Sequence, residues 1–395
     1  MNPRDRLSYK FFPHGSLGRV KQLLVFLTFA ISASWVAGAP SASAQDTTPP
    51  AEHAIGLSRS LPVSIAKRRL RQPSKDAPTE LIKVVGGKNA EKDQFKWQVA
   101  LILSESPQDD PFSGQFCGAT LIRWRWVLTA AHCTYDDNPL GENFPPVEIA
   151  ANRVDAYLGS YDFTAGQRIG VKRIVRHERY DPVTQDNDIA LLELDSEPSN
   201  RSQVELLRLV VNGNEAAIEP PSTATVVGWG STSHGVVPRK SSVLLYADNL
   251  QFMQPESCNA YYIGHLRSIR TTILKRQGKS DGEIRAALDQ FYPLNMQLIS
   301  DNMVCAGIED GSSDACFGDS GGPLVVLSGG VFQVGVVSWG PIDGCGITNL
   351  FGVYVKLSKF GDWITAQAGP APDCPQKRLP SGNWAPPDWC DAIHR

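Results

Sequence analysis

The chain has 395 residues, of which 42% are hydrophobic, so it contains enough apolar material for a sizeable core in one or two domains. Its net charge of −3 hides an uneven distribution: residues 1–83 carry 12 Lys and Arg against 5 Asp and Glu, whereas residues 84–395 carry 26 against 36. The acidic larger part argues against nucleic acid as a partner.

The first 44 residues have the pattern of a secretory signal peptide. Five basic residues lie within 1–21, the apolar run QLLVFLTFAISASWVAGA follows, and Ala42-Ser43-Ala44 supplies a small-x-small cleavage site. A signal anchor kept in the membrane is the alternative, but the apolar run is short and is interrupted by Ser and Thr. We therefore expect a signal peptide over 1–44 and a secreted protein, extracellular or periplasmic, without stable membrane insertion.

Residues 45–83 are rich in Pro, Ser and charged residues and lack sustained periodicity, which indicates a flexible leader rather than a domain. From residue 84 onward, short β-like segments such as WQVALIL and STATVVGWG alternate with turn residues. The segment PLVVLSGGVFQVGVVSWG predicts a hairpin that turns at Gly329-Gly330. Many short strands of this kind predict an all-β barrel or sandwich.

Two helical patterns interrupt the strands. The segment SDGEIRAALDQF begins with the capping-box pair Ser280 and Glu283, and apolar residues recur at helical spacing on both sides of Gly278. These features predict a helical hairpin over 264–291. The segment KFGDWITAQ predicts a further helix before a Pro-rich tail, residues 369–395.

The cysteines form an even set outside the signal segment, and none belongs to a C-x-x-C pair. Export permits disulfides, and the spacing argues against zinc, so we expect four disulfides and no metal. The cysteines occupy positions 117, 133, 258, 305, 316, 345, 374 and 390.

Ser320 lies in DACFGDSGGP, which is either a polar turn or a loop that exposes a nucleophile. Acyl transfer by serine also needs a base and an acid that orients the base. His132 in TAAHC and Asp188 in DNDIALLEL are candidates, in the order His, Asp, Ser. The G-x-S-x-G elbow of α/β-hydrolases also fits GDSGG, but its order is Ser, acid, His, and only His394 follows the serine. That alternative lacks a plausible base.

Nine motifs resemble the landmarks of the trypsin/chymotrypsin family of serine proteases, in family order, over residues 84–368. They are VVGG, FCGATLI, LTAAHC, DNDIALLEL, GWG, MVCAG, DACFGDSGGP, VVSWG and FGVYVKL. The resemblance implies two packed six-stranded antiparallel β-barrels with a C-terminal helix, here with a helical insertion, and an active site between the barrels. It implies no cofactor.

The resemblance also implies roles for single residues. His132 would be the general base and then the general acid, Asp188 would orient it, and Ser320 would attack the scissile carbonyl. The backbone N–H groups of Gly318 and Ser320 would form the oxyanion hole, where each donor typically contributes about 3 kcal/mol.

Asp314, six residues before Ser320, corresponds to the floor of the pocket for the substrate residue that precedes the cut. A buried carboxylate requires a cation, so Arg or Lys is expected there, whereas the alternative is an ordinary exposed loop aspartate. Because Ala315 offers no hydroxyl to a Lys ammonium, we expect Arg to be favoured. The other pocket residues are two wall glycines, Gly340 and Gly352, and two residues along the substrate backbone, Ser338 and Trp339.

The sequence KVVGG at 83–87 resembles a zymogen activation site. A cut between Lys83 and Val84 would free an α-ammonium that pairs with Asp319 and orders the oxyanion hole. The alternative is an ordinary strand start. Because the cut follows Lys, self-activation is a hypothesis.

The family pairing implies the disulfides Cys117–Cys133, Cys258–Cys305 and Cys316–Cys345, and the remaining two cysteines would form Cys374–Cys390 in the tail. The chain departs from the family at 264–292, an insertion that either restricts which proteins reach the site or only packs on the surface. Two further departures, the longer loop 341–344 and Phe351 beside the wall glycine, affect the region that would set fine specificity. Ser160 occupies a position where calcium-binding relatives carry glutamate. We expect no calcium there.

The sequence thus predicts a secreted serine endopeptidase that cuts peptides and proteins after Arg or Lys and is made as a zymogen. Protein inhibitors are a further class of candidate partner. One alternative is a catalytically silent homologue that acts as a binding module, although such proteins typically lack one of the three residues His132, Asp188 and Ser320, and all three are present here. A second alternative, an esterase, would prefer small esters to peptides.

Overall fold

The structure is a computed structural model that describes residues 87–140, 144–210, 223–230, 241–327, 330–341 and 344–369, together with Pro62, Lys67, 377–378 and 384–385. The predicted signal peptide, the predicted cut after Lys83 and the predicted tail disulfide lie outside the described residues. Among the described residues, no helix combines the length and the apolar character that crossing a bilayer requires.

Six strands of the first half of the chain close into an antiparallel barrel. The strands of this half are β1 (Lys88–Asn89), β2 (Gln98–Leu103), β3 (Gln115–Arg123), β4 (Trp126–Thr129), β5 (Tyr135–Asp136), β6 (Val147–Glu148), β7 (Val154–Leu158), β8 (Gln167–Arg176) and β9 (Ala190–Leu194). The barrel runs in the order β2-β3-β4-β9-β8-β7, and β5 and β6 form a separate short ribbon.

Strand β2 shows why the run VALIL, residues 99–103, is apolar throughout. Its alternate residues Val99 and Leu101 belong to the core of the first barrel. The intervening residues Ala100 and Ile102 pack instead in a cluster that contains Trp229, from the second half of the chain. Because successive side chains point to opposite faces, a strand that is buried on both faces loses the polar alternation of a surface strand.

A second barrel follows. Its half of the chain contains β10 (Arg208–Leu209), β11 (Thr223–Gly228), β12 (Leu245–Met253), β13 (Met303–Gly307), β14 (Pro323–Leu327), β15 (Val331–Trp339) and β16 (Gly352–Lys356), with β17 (Lys377–Arg378) and β18 (Trp384–Ala385) paired in the tail. The order β12-β11-β14-β15-β16-β13 closes because β13 also pairs with β12. Strands β14 and β15 form the predicted hairpin. The prediction of two six-stranded antiparallel barrels is confirmed.

The helical hairpin is also present, as α1 (Pro255–Arg276) and α2 (Asp281–Phe291). Ser280 and Glu283 form the predicted capping box, and Gly278 has the positive φ (75°) that ends α1. The predicted start at 264 is wrong, because α1 begins at Pro255, a residue suited to the first turn of a helix.

The insertion is not a detached surface feature. Cys258, Tyr262 and Leu266 of α1 pack in one cluster with Phe351 beside the predicted pocket wall. Helix α2 packs on the later part of α1, where Ile284 and Leu288 cluster with Leu274 and Arg267 donates to Leu288 O. The C-terminal helix, α3 (Gly361–Ala368), packs through Ile364 on the core of the first barrel.

Candidate active site

His132 and Asp188 meet because the strands that precede and follow them are paired. Strand β4 leads into the short 3₁₀ turn Ala131–Thr134, which carries His132. The last residue of β4, Thr129, pairs with Ala190 at the start of β9, two residues after Asp188. Asp188 accepts two hydrogen bonds from His132: one from the backbone N–H at 2.8 Å and one from ring Nδ1 at 2.7 Å. With Nδ1 donating, Nε2 of the neutral ring is left as a proton acceptor.

The Asp188 carboxylate is fully buried and receives a third donor from the other barrel. Ser338, at the end of β15, donates its hydroxyl to Oδ2 of Asp188 at 2.6 Å. Three donors compensate for the loss of water around the carboxylate. Asp188 therefore links the two barrels where they meet at His132.

Asp186, two residues before Asp188, anchors the same loop to the segment that precedes β13. Its Oδ1 accepts from Ser300 Oγ (2.7 Å) and Asn302 Nδ2 (3.0 Å), and its Oδ2 accepts from Asn187 Nδ2 (3.1 Å). Sequence reasoning missed this contact, because Ser300 and Asn302 are more than a hundred positions away.

The loop that carries Ser320 is fixed by backbone contacts with both barrels. Gly118 of β3 donates to Ser320 O at 2.7 Å, and Gly321 donates to Val337 O of β15 at 2.8 Å. Gly321 has a φ of 79°, and a Cβ there would lie 2.1 Å from Thr129 Oγ1. It would also lie 2.6 Å from Gly118 O of β3, so only glycine allows the loop to approach β3 and β4 so closely.

His132 and Ser320 both lie beside Cys133. The Cys133 sulfur is 3.8 Å from Nε2 of His132 and 3.5 Å from the backbone oxygen of Ser320. Cys117 and Cys133 are joined as a disulfide, so the cluster of these cysteines with His132 offers no thiolate ligands for a metal. The structure thus brings the three predicted residues His132, Asp188 and Ser320 to one place.

Gly318 has a φ of 102°, a conformation that glycine adopts without strain. Its carbonyl accepts from the side-chain amide of Gln115 at 3.1 Å, and the same amide donates to Cys117 O at 3.1 Å. Gln115 is fully buried, so it holds the Gly318–Asp319 peptide against β3.

Asp319 is buried, and its carboxylate accepts from the backbone N–H groups of Gly230 (2.7 Å) and Cys316 (3.0 Å). A Cβ on Gly228 or Gly230 would lie 2.0–2.4 Å from the nearest carboxyl atom of Asp319. The two glycines of the GWG motif therefore leave the space that the Asp319 carboxylate occupies. Val84, its predicted partner, lies outside the described residues.

Asp314 is 3% exposed, which excludes the alternative of an ordinary exposed loop aspartate. Oδ2 accepts from Gly346 N–H at 3.0 Å, whereas Oδ1 has no hydrogen-bond partner among the described residues. Burial raises the pKa of Asp314 to about 7, and the Gly346 N–H opposes this shift. The backbone N–H of Ala315 opposes the shift as well, but the two donors only partly offset the burial of the carboxyl group.

The two predicted wall glycines differ in the space around them. A Cβ on Gly352 would lie 3.1 Å from Asp314 Oδ1, whereas a Cβ on Gly340 would meet nothing within 4 Å. The disulfides Cys316–Cys345 and Cys258–Cys305 are paired as the resemblance implies.

Sequence reasoning missed Tyr262 of α1. Its hydroxyl donates to Phe351 O at 2.6 Å, and its ring lies 5.0 Å from that of Trp339. Phe351 adjoins the wall residue Gly352, so the first turns of the insertion support the pocket wall. The helical spacing of Cys258, Tyr262 and Leu266 could have revealed this face.

Comparison with known proteins finds a family model described as Trypsin, which matches residues 84–364. Trypsin-1 of Astacus astacus is 31% identical over 290 residues, which cover 72% of this chain and 100% of that protein. Trypsin 5G1 of Aedes aegypti is 30% identical over 287 residues, which cover 73% of this chain and 85% of that protein. The Suppressor of tumorigenicity 14 protein homolog of Bos taurus is 30% identical over 298 residues, which cover 74% of this chain but only 29% of that longer relative.

Proposed function

Because the chain belongs to the trypsin family of serine proteases, we propose that it is a secreted endopeptidase that hydrolyses peptide bonds after Arg or Lys. The observation that carries the proposal is the double hydrogen bond from His132 to buried Asp188, made next to the loop of Ser320. A histidine that only packs in the core does not require one carboxylate to accept from both its backbone N–H and its ring, whereas a catalytic base must be held in one orientation and one tautomer.

In the proposed reaction Ser320 Oγ attacks the scissile carbonyl carbon while His132 Nε2 takes its proton. The oxyanion of the tetrahedral intermediate is stabilised by the N–H groups of Gly318 and Ser320. His132 then gives the proton to the leaving amine, which leaves an acyl group on Ser320. Water, deprotonated by His132 Nε2, then attacks the acyl carbon, and the bond to Ser320 Oγ breaks as His132 returns the proton to that oxygen and the acid leaves. Asp188 stabilises the imidazolium in both halves of the cycle.

Asp314 supports the preference for a cationic side chain. An ionised carboxylate at a fully desolvated position is unfavourable alone, and a guanidinium that reaches it supplies both charge and donors. Oδ1 of Asp314 accepts no hydrogen bond from the described residues, so it is open to a donor of the substrate. Arg offers a planar fork for such a carboxylate and Lys a single point charge, so we expect Arg to be the better substrate.

Zymogen activation at Lys83–Val84 is the second part of the proposal. Asp319 is a buried carboxylate directly before Ser320, and the glycines of GWG leave room for it. An α-ammonium at Val84 would neutralise this charge and fix the peptides of Gly318 and Ser320. The leader 45–83 would then be a propeptide, and the signal pattern together with the disulfides favours secretion.

A reactive serine distinguishes an enzyme from the silent homologue. An arylphosphonate ester should label the matured chain at Ser320, as mass spectrometry of the modified peptide would show. The Ser320→Ala chain is the matched control and should remain unlabelled. An intact fold with no labelling at Ser320 would favour the binding-module alternative, whereas labelling with hydrolysis of small esters and no detectable cleavage of peptides would favour the esterase.

A further inference from the structure

A residue of the predicted leader contacts the rim of the candidate active site. Lys67 forms an ion pair with Asp136, which lies four residues after His132 on the short ribbon of β5 and β6. The side chains of Lys67 and Asp136 are only 24% and 14% exposed, so the pair is largely shielded from water. An ion pair between a leader and the cleft rim is not needed for the chemistry described above.

The surface around Asp136 has the charge and the apolar character to bind this leader. We name residues 135–140 and 144–148 the acidic hairpin; it carries Asp136, Asp137 and Glu148 and no Lys or Arg, whereas 67–71 of the leader reads Lys-Arg-Arg-Leu-Arg. The nearby Arg176 is engaged by Glu148 (3.0 Å) and by backbone oxygens of the same region.

The acidic hairpin also exposes apolar side chains. Leu140 is 71% exposed, Phe144 is 47% exposed and Val147 is 38% exposed. The leader sequence around Lys67, LPVSIAKRRLR, combines apolar and basic residues. Large apolar side chains left in water next to a charged patch are typical of a surface that binds a partner.

We propose that the acidic hairpin is a docking surface for the leader of this same chain, centred on Lys67. The docking goes beyond the proposed protease activity, because it requires neither a reactive Ser320 nor a cut. It is also separable from the predicted cut: 16 residues lie between Lys67 and Val84, enough to span about 50 Å when extended. The predicted cut after Lys83 therefore breaks a bond far along the chain from the Lys67–Asp136 pair and removes neither of its two side chains.

Zero-length crosslinking of the full chain tests the contact directly. The chain carries Ser320→Ala so that it cannot cut itself, and a carbodiimide couples lysine amines to carboxylates that touch them. Lys67 should be linked to Asp136 in the peptide map. The described pairs Lys172–Glu193 (2.9 Å) and Lys88–Asp248 (2.7 Å) are positive controls, and Lys75 of the leader is the matched comparison. Detection of both controls without the Lys67–Asp136 link would overturn the proposal.

Charge reversal tests whether the contact holds the leader in place. In the same Ser320→Ala chain, Lys67→Glu and Asp136→Lys should each increase hydrogen exchange of 135–140 and 144–148 several-fold. The double variant, which restores an ion pair with opposite polarity, should recover most of the protection. Lys75→Glu removes the same charge from the leader and should change little. Equal exchange in all variants, or equal loss in the single and double variants, would refute docking through this pair.

Discussion

Alanine substitutions at the two predicted wall glycines should have different effects on stability. A methyl group at Gly352 meets protein atoms, whereas a methyl group at Gly340 would meet only the substrate side chain. In Gly352→Ala the new Cβ would lie 3.1 Å from Asp314 Oδ1 and 3.2 Å from the Tyr354 ring and hydroxyl. These distances are a few tenths of an ångström below ordinary contact, so Asp314 or Tyr354 must shift, and overpacking of this size typically costs about 1–3 kcal/mol. In Gly340→Ala the Cβ meets nothing within 4 Å.

We therefore expect Gly352→Ala to lower the free energy of unfolding by about 1–3 kcal/mol and Gly340→Ala to change it by less than about 0.5 kcal/mol. Both should lower kcat/KM for Arg reporter peptides, Gly352→Ala by about 5- to 150-fold if the same energy is lost in the transition state. Gly340→Ala lowers it because the methyl group occupies the space of the substrate side chain.

Urea unfolding and initial rates on an Arg reporter peptide measure the two quantities. Gly264→Ala is the matched control: it lies within α1, has nothing within 4 Å of its Cβ, and should leave activity unchanged while helix propensity stabilises the protein by up to about 1 kcal/mol. Parent-like activity of Gly340→Ala would refute its place in the pocket, and parent-like stability and activity of Gly352→Ala would refute the crowding of Asp314.

Three further predictions concern the carboxylates. Asp188→Asn should lower kcat about 10⁴-fold with little loss of stability, because the amide favours the wrong tautomer of His132. The rate is measured on enzyme that has already been cut after Lys83, and a loss below tenfold would contradict this role. Asp186→Ala should lower kcat several-fold at unchanged KM, because it loosens the loop of Asp188 without touching substrate, and a change confined to KM would argue against it. The pKa of Asp314 is raised from 3.8 to about 7, so the folded state holds a proton that the unfolded state has lost between these pH values, and stability falls as pH rises through that window. At pH 8 the free energy of unfolding of Asp314→Asn should therefore exceed that of the parent by up to about 4 kcal/mol, as urea unfolding would show. At pH 4 the two proteins should be equally stable. The same difference at both pH values would refute the shift.

The sequence predicted the elements whose cause is local. Alternation around 329–330 predicted the β14–β15 hairpin, and Ser280 with Glu283 predicted the start of α2. The motif around Ser320 and the His, Asp, Ser order were sufficient to select residues that the structure brings together.

The contacts that sequence reasoning missed join residues that lie far apart in the chain. Asp186 meets Ser300 only because the first barrel packs beside the segment before β13, and Lys67 meets Asp136 across 69 positions. The start of α1 has a local cause that the prediction of 264 leaves out. Cys258, Tyr262 and Leu266 already recur at helical spacing, so the helix begins at Pro255.

Hydrolysis of three matched reporter peptides that differ only in Arg, Lys or Phe before the cut is the most direct measurement of the central claim. With the matured chain, kcat/KM should decrease in the order Arg, Lys, Phe, and the Ser320→Ala chain should show no hydrolysis above background. Faster cleavage of the Phe peptide would contradict the role of Asp314, and equal rates with and without the Ser320 hydroxyl would contradict the protease itself.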